Sequence, residues 1–411
     1  MTALFKIGVI LFSAFNLISC NGQTKSTITS NKEPLSDDFD EIMPFAYKMP
    51  TDLSSTDTSP GWKQNGQKIS LTGTVYERDG KTPASNVILY YHHTDIHGIY
   101  ATKPDEPLNM PKNKLGQTHG YIRGWIKTGD DGKYTINTVL PGTYPSRAEP
   151  AHIHITVKEK NMEKPYYLDD FVFDDDPLLT SQRRNKSENR GGSGVIRFVK
   201  KRNIWIGERN LILGLNIPNY PVQPDNHDKS GKNIGEDLSS FTPFHAFGPD
   251  KGTKTCPICK YGWYHGILYF VGNNPNWLDI EKWLVFLDNE SQKRKKYLKA
   301  YFIYGNEKQY SKEKRLSDLE KLGNELQLKN IALTFVPSFS DKSSEIYLNR
   351  VNPNIENTFI VYRRSNIIGK FTNLKPTEEN FAKIQQQLDQ TDNEYFKLPR
   401  AKSNKSSVQQ W

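Results

Sequence analysis

The sequence predicts a multidomain chain in which an all-β sandwich is followed by an α/β domain. Its 411 residues exceed the size of an ordinary single domain. The first half carries short strand patterns separated by turn dipeptides, and the second half alternates strand and helix patterns. We therefore place the sandwich at 61–221, a polar linker at 222–237, the α/β domain at 238–395 and a polar tail at 396–411.

The sandwich is predicted from alternation with a period of two. Ile69, Leu71 and Val75 alternate with polar residues, and Asp79-Gly80 and Asp131-Gly132 are dipeptides typical of hairpin turns. Further strands are predicted at 86–92, 124–127, 134–136, 151–157 and 210–217, whereas the polar segment 181–193 is predicted to be a loop.

The α/β domain is predicted from strand patterns at 267–271 and 331–336 and a hairpin formed by 359–362 and 367–371. Ser317 and Glu320 have the spacing of a capping box, which predicts a helix beginning there. Thr377 is predicted to cap a last helix whose apolar face contains Phe381, Ile384 and Leu388.

Composition excludes several classes of protein. Apolar residues make up 36% of the chain and its mean hydropathy is −0.70, values too polar for a protein with several membrane spans. The net charge of +9 comes without a basic stripe of interleaved aromatics, so we expect no nucleic-acid partner. The 3 cysteines exclude a disulfide-rich scaffold and a four-cysteine zinc site. The sequence specifies no oligomeric state.

The amino terminus has the pattern of an export signal. Lys6 supplies a positive charge before a short apolar stretch, and Leu17-Ile18-Ser19-Cys20 resembles the lipobox of bacterial lipoproteins. The resemblance implies that 1–19 is a signal peptide, that Cys20 is lipidated, and that 20–60 tethers the first domain to a membrane. We expect a cell-envelope protein facing the periplasm or the surface. The alternative is a plain secretory signal with a chance cysteine.

The sequence His152-Ile153-His154 predicts a metal site. Side chains alternate along a strand, so both imidazoles lie on one face with Cα atoms about 6.5 Å apart. A partly exposed pair without a metal is the alternative. The nearest carboxylate, Glu149, would complete a site for ferrous iron, but a regular strand aims it at the opposite face. Tyr144 follows a Pro-Gly turn, and its phenolate would favour Fe(III).

The stretch 73–220 resembles the intradiol ring-cleavage dioxygenases, the family of catechol 1,2- and protocatechuate 3,4-dioxygenases. The matching blocks are Gly73-x-Val75, Gly80-x-x-Pro83-Ala84-x-x-Val87, His97-Gly98-Ile99-Tyr100, Arg123-Gly124, Thr128-Gly129-Asp130-Asp131-Gly132-x-Tyr134, Pro141-Gly142-Thr143-Tyr144-Pro145 and Pro150-Ala151-His152-Ile153-His154.

The resemblance implies a non-haem Fe(III) ion held by Tyr100, Tyr144, His152 and His154. It also implies a catecholic substrate that binds as a dianion and displaces Tyr144, the residue that matches the family's axial tyrosine. The ferric ion acts as a Lewis acid, and O2 inserts between the two hydroxyl-bearing carbons to give a cis,cis-muconate-type product.

Two positions depart from the family pattern. Where the family has an arginine that stabilises charge on the substrate ring, this chain has Glu149, and we assign that catalytic role to Arg147 instead. The family's glutamine falls near Asp170, whose charge would repel a catecholate by about 1–3 kcal/mol. A non-catalytic envelope lipoprotein that binds iron or another ligand is therefore the alternative. Spacing does not support His92, His93 or His97 as ligands.

The pattern Cys256-Pro257-Ile258-Cys259 lies in the α/β domain, which resembles a thioredoxin-like domain. If Cys256 opens a helix, its pKa falls and it becomes an attacking thiolate. However, a redox thioredoxin carries this motif directly after a core strand, whereas here the strand at 267–271 follows it. A structural disulfide, a redox pair acting as a thiol-disulfide oxidoreductase, and half of a zinc site are all compatible with the pattern.

Overall fold

The computed structural model describes residues 44–221, 230–294, 297–308, 310–390 and 397–401. The predicted signal peptide, Cys20 and the first part of the predicted tether lie outside these residues. So do 222–229 of the predicted linker and 402–411 of the predicted tail.

The first domain is rich in β-strands. Its strands are β1 Thr56–Thr58, β2 Lys68–Tyr76, β3 Ile88–His92, β4 Arg123–Lys127, β5 Lys133–Val139, β6 His152–Lys158, β7 Tyr166–Tyr167, β8 Phe171–Phe173, β9 Val195–Ile196, β10 Val199–Lys201, β11 Ile204–Glu208 and β12 Leu211–Ile212. A short helix α1, Ser181–Lys186, stands between β8 and β9.

These strands form two mixed sheets. One has the order β1-β5-β2-β11-β10, with β12 also paired to β2, and the other has the order β4-β3-β6-β8-β9, with β7 also paired to β6. Most neighbours are antiparallel, but β1 runs parallel to β5, β11 and β12 run parallel to β2, and β9 runs parallel to β8.

Alternation along the strands separates the core from the outer face. Leu89 and Tyr91 of β3 and Ile153 and Ile155 of β6 are buried in one apolar cluster with residues of β2. The residues between them therefore point away from that core. The register pairs His92 of β3 with His154 of β6 on this outer face.

Two local predictions for this domain were wrong. Residues 181–186 form α1 instead of a loop, because the hydroxyl of Thr180 accepts a hydrogen bond from the backbone N–H of Arg183 and caps the first turn. The predicted strand at 210–217 shortens to β12, since the chain turns directly after Ile212.

The second domain has one mixed sheet. Its strands are β13 Phe244–Phe247, β14 His265–Val271, β15 Leu298–Tyr304, β16 Ala332–Phe335, β17 Thr358–Arg363 and β18 Asn366–Thr372, in the order β13-β16-β15-β14-β17-β18. Its helices are α2 Pro257–Tyr261, α3 Trp277–Lys293, α4 Lys312–Glu325 and α5 Glu378–Gln390.

The sheet of the second domain is covered on both faces. Apolar residues of α3, α4 and α5 share one buried cluster on one face, including Trp283, Leu319 and Ile384. A second cluster on the other face contains Cys256 and Ile258. Helix α4 begins earlier than predicted, because Ser311, not Ser317, caps it by accepting the N–H of Lys314.

Cys256 and Cys259 form a disulfide, which lies ahead of β14. We expect the double replacement Cys256→Ser/Cys259→Ser to lower the free energy of unfolding by only about 2 kcal/mol, because a bridge between residues three positions apart closes a very short loop. Urea unfolding with and without reductant measures this difference, and the double variant, which should not respond to reductant, is the control. A loss of folding in the variant would contradict this expectation.

The first domain contacts the second domain, the predicted linker and the segment 397–401. Arg363 of β17 donates to Glu208 of β11 at 2.7 Å, and Arg197 donates to Asp237 at 2.6 Å. The chain then returns to the first domain, where Ala401 donates its N–H to the carbonyl of Phe198 and is buried in the sandwich core. Within the described part of the predicted tail, Ala401 is therefore buried, whereas Lys397, Pro399 and Arg400 are exposed.

None of the described helices combines the length and the apolar character that a membrane span requires.

Candidate metal centre

Tyr100, Tyr144, His152 and His154 meet on the outer face of the β4-β3-β6-β8-β9 sheet. The two histidines come from β6, and the tyrosines come from two loops that touch. Gly98 has a positive φ of 79°, and a Cβ there would lie 1.8 Å from the carbonyl oxygen of Thr143. A side chain at that position would push the two loops apart, so the glycine allows the tyrosines to meet.

The four donor atoms lie close together, each near the next. The hydroxyl oxygen of Tyr100 lies 2.9 Å from that of Tyr144, which lies 3.2 Å from Nε2 of His152. Nε2 of His152 lies 3.1 Å from Nε2 of His154. Two nitrogens bound at right angles to one ion, each about 2.1 Å from it, are about 3.0 Å apart, so the spacing fits a shared metal.

The remaining ring nitrogens determine which atoms face the metal. Nδ1 of His152 is 2.7 Å from the carbonyl oxygen of Pro150, and Nδ1 of His154 is 2.9 Å from Oδ1 of Asp170. Both partners are acceptors, so each Nδ1 carries a proton, and Nε2 is the nitrogen whose lone pair can bind a metal. Two lone pairs at 3.1 Å repel each other unless a cation lies between them.

The pKa shifts of the two histidines are consistent with a site that attracts a cation. Burial lowers the pKa of His154, but the charge and hydrogen bond of Asp170 outweigh it, and the pKa is raised above its usual value. Burial and the neighbouring His154 lower the pKa of His152. In the absence of a metal, a proton on Nε2 of His154 can therefore occupy the place between the two rings.

Asp170 contacts the ring nitrogen of His154 that points away from the other donors. The sequence predicts that this carboxylate faces the substrate. In the structure it accepts a hydrogen bond from Nδ1 of His154, and 38% of its side chain is exposed. The pairing of His152 with Val172 brings Asp170 alongside His154, which a strand-by-strand analysis of the sequence cannot show. A carboxylate on the second nitrogen of a ligating histidine fixes the ring and strengthens its donor atom.

A second set of donors is also possible in this cluster. His152, His154 and Asp170 have ligand atoms within 4.8 Å of one another, and Asp170, not Glu149, is the carboxylate that joins the histidines. An ion held by Asp170 and Nδ1 of His154 would, however, lie away from the Nε2 atom that faces the tyrosines. The Nε2 set with both phenols uses every converging donor.

Both phenols are held neutral before a metal binds. Burial and the neighbouring Tyr144 raise the pKa of Tyr100 well above its usual value, and burial raises the pKa of Tyr144 to about 12. Coordination as phenolates therefore needs a strong Lewis acid to displace the protons, which favours a ferric ion over ions of lower charge.

Arg147 stands apart from the four donors. Its backbone has a φ of 52°, its N–H donates to the carbonyl of Tyr144, and its side chain is exposed. Among the described residues its guanidinium forms no ion pair with Glu149, which is also exposed. The catalytic role of Arg147 stays a prediction.

His92, which sequence spacing does not support as a ligand, is a close neighbour of the site. Its ring stacks on His119 at 3.6 Å and lies 4.6 Å from the ring of His154. It is 1% exposed, and within the described part of the chain neither ring nitrogen has a hydrogen-bond partner. Burial and then His119 lower its pKa well below the usual value, so the ring is neutral. His93, by contrast, bonds through both nitrogens to Thr94 and Thr138.

We expect His92→Phe to leave the free energy of unfolding unchanged or to raise it by about 1 kcal/mol, because the new ring keeps the stack and removes two unsatisfied nitrogens. The adjacent His93→Phe is the matched control and should cost roughly 2–3 kcal/mol, since it breaks two buried hydrogen bonds. Chemical denaturation of both variants gives the comparison. Equal losses would mean that the His92 nitrogens have partners in solution.

Residues 44–185 match the family model Dioxygenase_C, described as Dioxygenase. The matched segment contains all four donors together with Asp170, His92 and Arg147. The match confirms the dioxygenase resemblance predicted from the sequence for this part of the chain. A comparison with curated proteins gave no match.

Several solved structures are similar to this part of the chain. The dioxygenase domain of a dioxygenase–carbohydrate-binding protein fusion from Streptomyces sp. SirexAA-E is 19% identical, with a TM-score of 0.30 over 40% of this chain and 91% of that one. Catechol 1,2-dioxygenase from Acinetobacter sp. ADP1 is 20% identical, with a TM-score of 0.30 over 42% and 62%. An intradiol ring-cleavage dioxygenase from Tetranychus urticae is 17% identical, with a TM-score of 0.28 over 40% and 88%.

Proposed function

We propose, on the premise that residues 44–185 belong to the dioxygenase family, that this chain is a non-haem Fe(III) intradiol dioxygenase that cleaves the ring of a catecholic compound. The observation that carries the proposal is the convergence of two phenol oxygens and the Nε2 atoms of two histidines, each within 3.2 Å of its neighbour. Oxygen and imidazole donors together suit iron, and three of the four come from β6 or its preceding loop.

Each residue of the site has a separate role in the proposed reaction. When bound, ferric iron supplies a Lewis acid that withdraws electron density from the catechol ring, so that O2 inserts between its two hydroxyl-bearing carbons. The Nε2 lone pairs of His152 and His154 converge because hydrogen bonds to Pro150 and Asp170 fix the orientation of both rings. Tyr100 supplies a phenolate from the facing loop.

Tyr144 is the residue we assign to proton transfer. Burial raises its pKa to about 12, so its phenolate oxygen is a strong base once a substrate takes its place. That oxygen would accept a proton from a hydroxyl of the incoming catechol, which helps the substrate to bind as a dianion.

Oxygen uptake with catechol tests this proposal. We expect a chain starting after Cys20 and loaded with iron to consume one O2 per catechol and to release a muconate-type product. Tyr144→Phe should lower the rate about a hundredfold or more, since it removes the group that accepts the proton. Tyr121→Phe is the control, because Tyr121 bonds to Gln64 outside the donor set. An iron-loaded protein that consumes no O2 with any simple catechol would support the non-catalytic alternative.

We also propose that the mature chain is anchored to the cell envelope by a lipid on Cys20. The motif before this cysteine supports the anchor, together with the polar segment that follows it. Expression of the full chain with a labelled fatty acid should label the protein and place it in the membrane fraction. Cys20→Ser should abolish both, and a labelled Cys20→Ser variant would contradict the anchor.

For the second domain we propose a thioredoxin-like scaffold in which the disulfide is structural. The support is the unit β14-α3-β15, with β15 parallel to β14, followed by the antiparallel β17-β18 hairpin and α5. Residues 272–276 at the carboxyl end of β14 contain no cysteine, and the Cys256–Cys259 bridge lies before the strand. Catalysed reduction of a protein disulfide by this chain would instead support the oxidoreductase alternative.

A further inference from the structure

His92 lies directly beside His154 on the outer face of the sheet. The register of β3 and β6 pairs the two residues, and their rings stack with centroids 4.6 Å apart and planes 23° apart. Nε2 of His154 is one of the four converging donors. The described cluster of His, Cys, Asp and Glu side chains with converging ligand atoms does not contain His92. The two imidazoles therefore meet through their ring faces, and not through a shared ligand position.

One hydrogen bond does not fix the orientation of the His154 ring. Nδ1 donates to Asp170 at 2.9 Å, which holds one corner of the ring in place. The ring plane can still tilt about that corner, and a tilt moves Nε2 out of line with the other donors. A functional site tolerates deviations of only about 10–20°, so its side chains need packing contacts as well as hydrogen bonds. The face of the His92 ring blocks the tilt of His154 towards β3.

Other buried rings hold His92 in place. Its ring stacks on His119 with centroids 3.6 Å apart and planes 3° apart. Nδ1 of His119 lies 2.8 Å from the hydroxyl oxygen of Tyr90, whose ring packs against Trp125 at 5.1 Å. All four side chains are buried. Because a close-packed interior leaves no space into which a ring can move, His92 is a rigid support.

Hydrogen bonding does not account for a histidine at this position. Over the residues that the structure describes, both nitrogens of His92 are buried without a partner. An unpaired buried polar group costs about 1–3 kcal/mol. The neighbouring His93, by contrast, bonds through both of its nitrogens. What His92 offers the site is therefore the flat face of its ring and not a donor or an acceptor.

We propose that His92 is a positioning residue for the metal centre, whose ring face holds the plane of the His154 imidazole so that Nε2 stays directed at the other three donors. The inference rests on the proposed function, because it takes the same four donors as the iron ligands. Asp170 fixes Nδ1 of His154 and His92 fixes the ring plane, so both act on the iron only through His154.

Two replacements separate the flat ring from the other properties of His92. His92→Phe and His92→Leu both remove the nitrogens and fill the space with apolar atoms, but only phenylalanine keeps a flat face against His154. Competition with a chelator gives the affinity of each variant for ferric iron. The visible and EPR spectra of the iron-loaded protein report the arrangement of the ligands, and unfolding of the metal-free protein reports its stability.

We expect His92→Leu to weaken ferric iron binding about tenfold or more, as does the loss of a supporting partner, and to change both spectra. His92→Phe should keep the affinity and the spectra of the unchanged protein. His93→Phe is the control for stability alone, because His93 bonds to Thr94 and Thr138 and not to the donor set. It should unfold more readily and give unchanged spectra. His92→Met is a second non-planar replacement if leucine prevents folding.

Two results would overturn the role of His92. If both His92→Leu and His92→Phe kept the affinity and spectra of the unchanged protein, the flat ring would make no difference. If His92→Phe lost as much affinity as His92→Leu, the nitrogens and not the ring face would be required. Oxygen uptake is a separate readout, since a protein that binds iron through these donors but cleaves no catechol would overturn only the proposed function. An unchanged protein that binds no iron would overturn both.

Discussion

His152→Ala should lower the affinity for ferric iron by roughly a thousandfold or more, because it removes one of the converging donors and not merely a supporting partner. The rest of the site should stay in place, since the strand pairing of β6 uses the backbone. Iron content after dialysis against a chelator measures the loss, and thermal unfolding of the metal-free proteins checks the fold.

The control for this variant is His97→Ala. His97 lies close in sequence to Tyr100, but its side chain is exposed, and its backbone N–H donates to the side chain of Asp95. It should retain iron at the level of the unchanged protein. If His152→Ala also retained one tightly bound iron, the Nε2 set would be the wrong donor set.

Asp170→Asn should weaken iron binding about 10- to 100-fold, the range typical of a lost supporting partner. The amide oxygen can still accept the Nδ1–H of His154, so the ring keeps its orientation and only the negative charge is lost. The tyrosinate-to-iron absorption band should shift, because His154 becomes a weaker donor. Competition with a chelator and the visible spectrum give the two readouts.

Asp130→Asn is the matched control, because Asp130 is exposed in the turn before β5 and far from the donors along the chain. An Asp170→Asn variant with unchanged affinity and spectrum would show that the carboxylate does not act on the metal through His154.

Much of the donor set follows from local sequence rules. Period-two alternation places His152 and His154 on one face of β6 and the intervening Ile153 in the core. The resemblance to a known family supplies Tyr100 and Tyr144, which alternation alone cannot place, since they lie on loops. The contact between those loops depends on Gly98, one of the residues within the matching blocks.

The surroundings of the donors depend on strand pairing, which the sequence does not display. Asp170 reaches His154 because β8 pairs with β6, and His92 reaches it because β3 pairs with β6. Sequence spacing gave no reason to connect these residues. The sequence alone predicts repulsion between Asp170 and a substrate but does not show the hydrogen bond of Asp170 to His154.

In the second domain, local patterns located most elements but not all of them. The strands β14, β16, β17 and β18 coincide with predicted runs, while α3 and β15 were not predicted although Ile280, Trp283 and Leu287 repeat at helical spacing. The predicted start of α4 was wrong because either Ser311 or Ser317 could cap the helix. The apolar contacts of the first turns favour the start at Ser311.

Iron content and the visible spectrum of the chain starting after Cys20, purified in air, test the ferric site most directly. We expect one iron per chain and a red-brown protein whose absorption band shifts when catechol is added without oxygen. That result requires phenolate ligands and an open coordination position. A colourless protein that takes up no iron on reconstitution would contradict the site, because the four donors would then not act together.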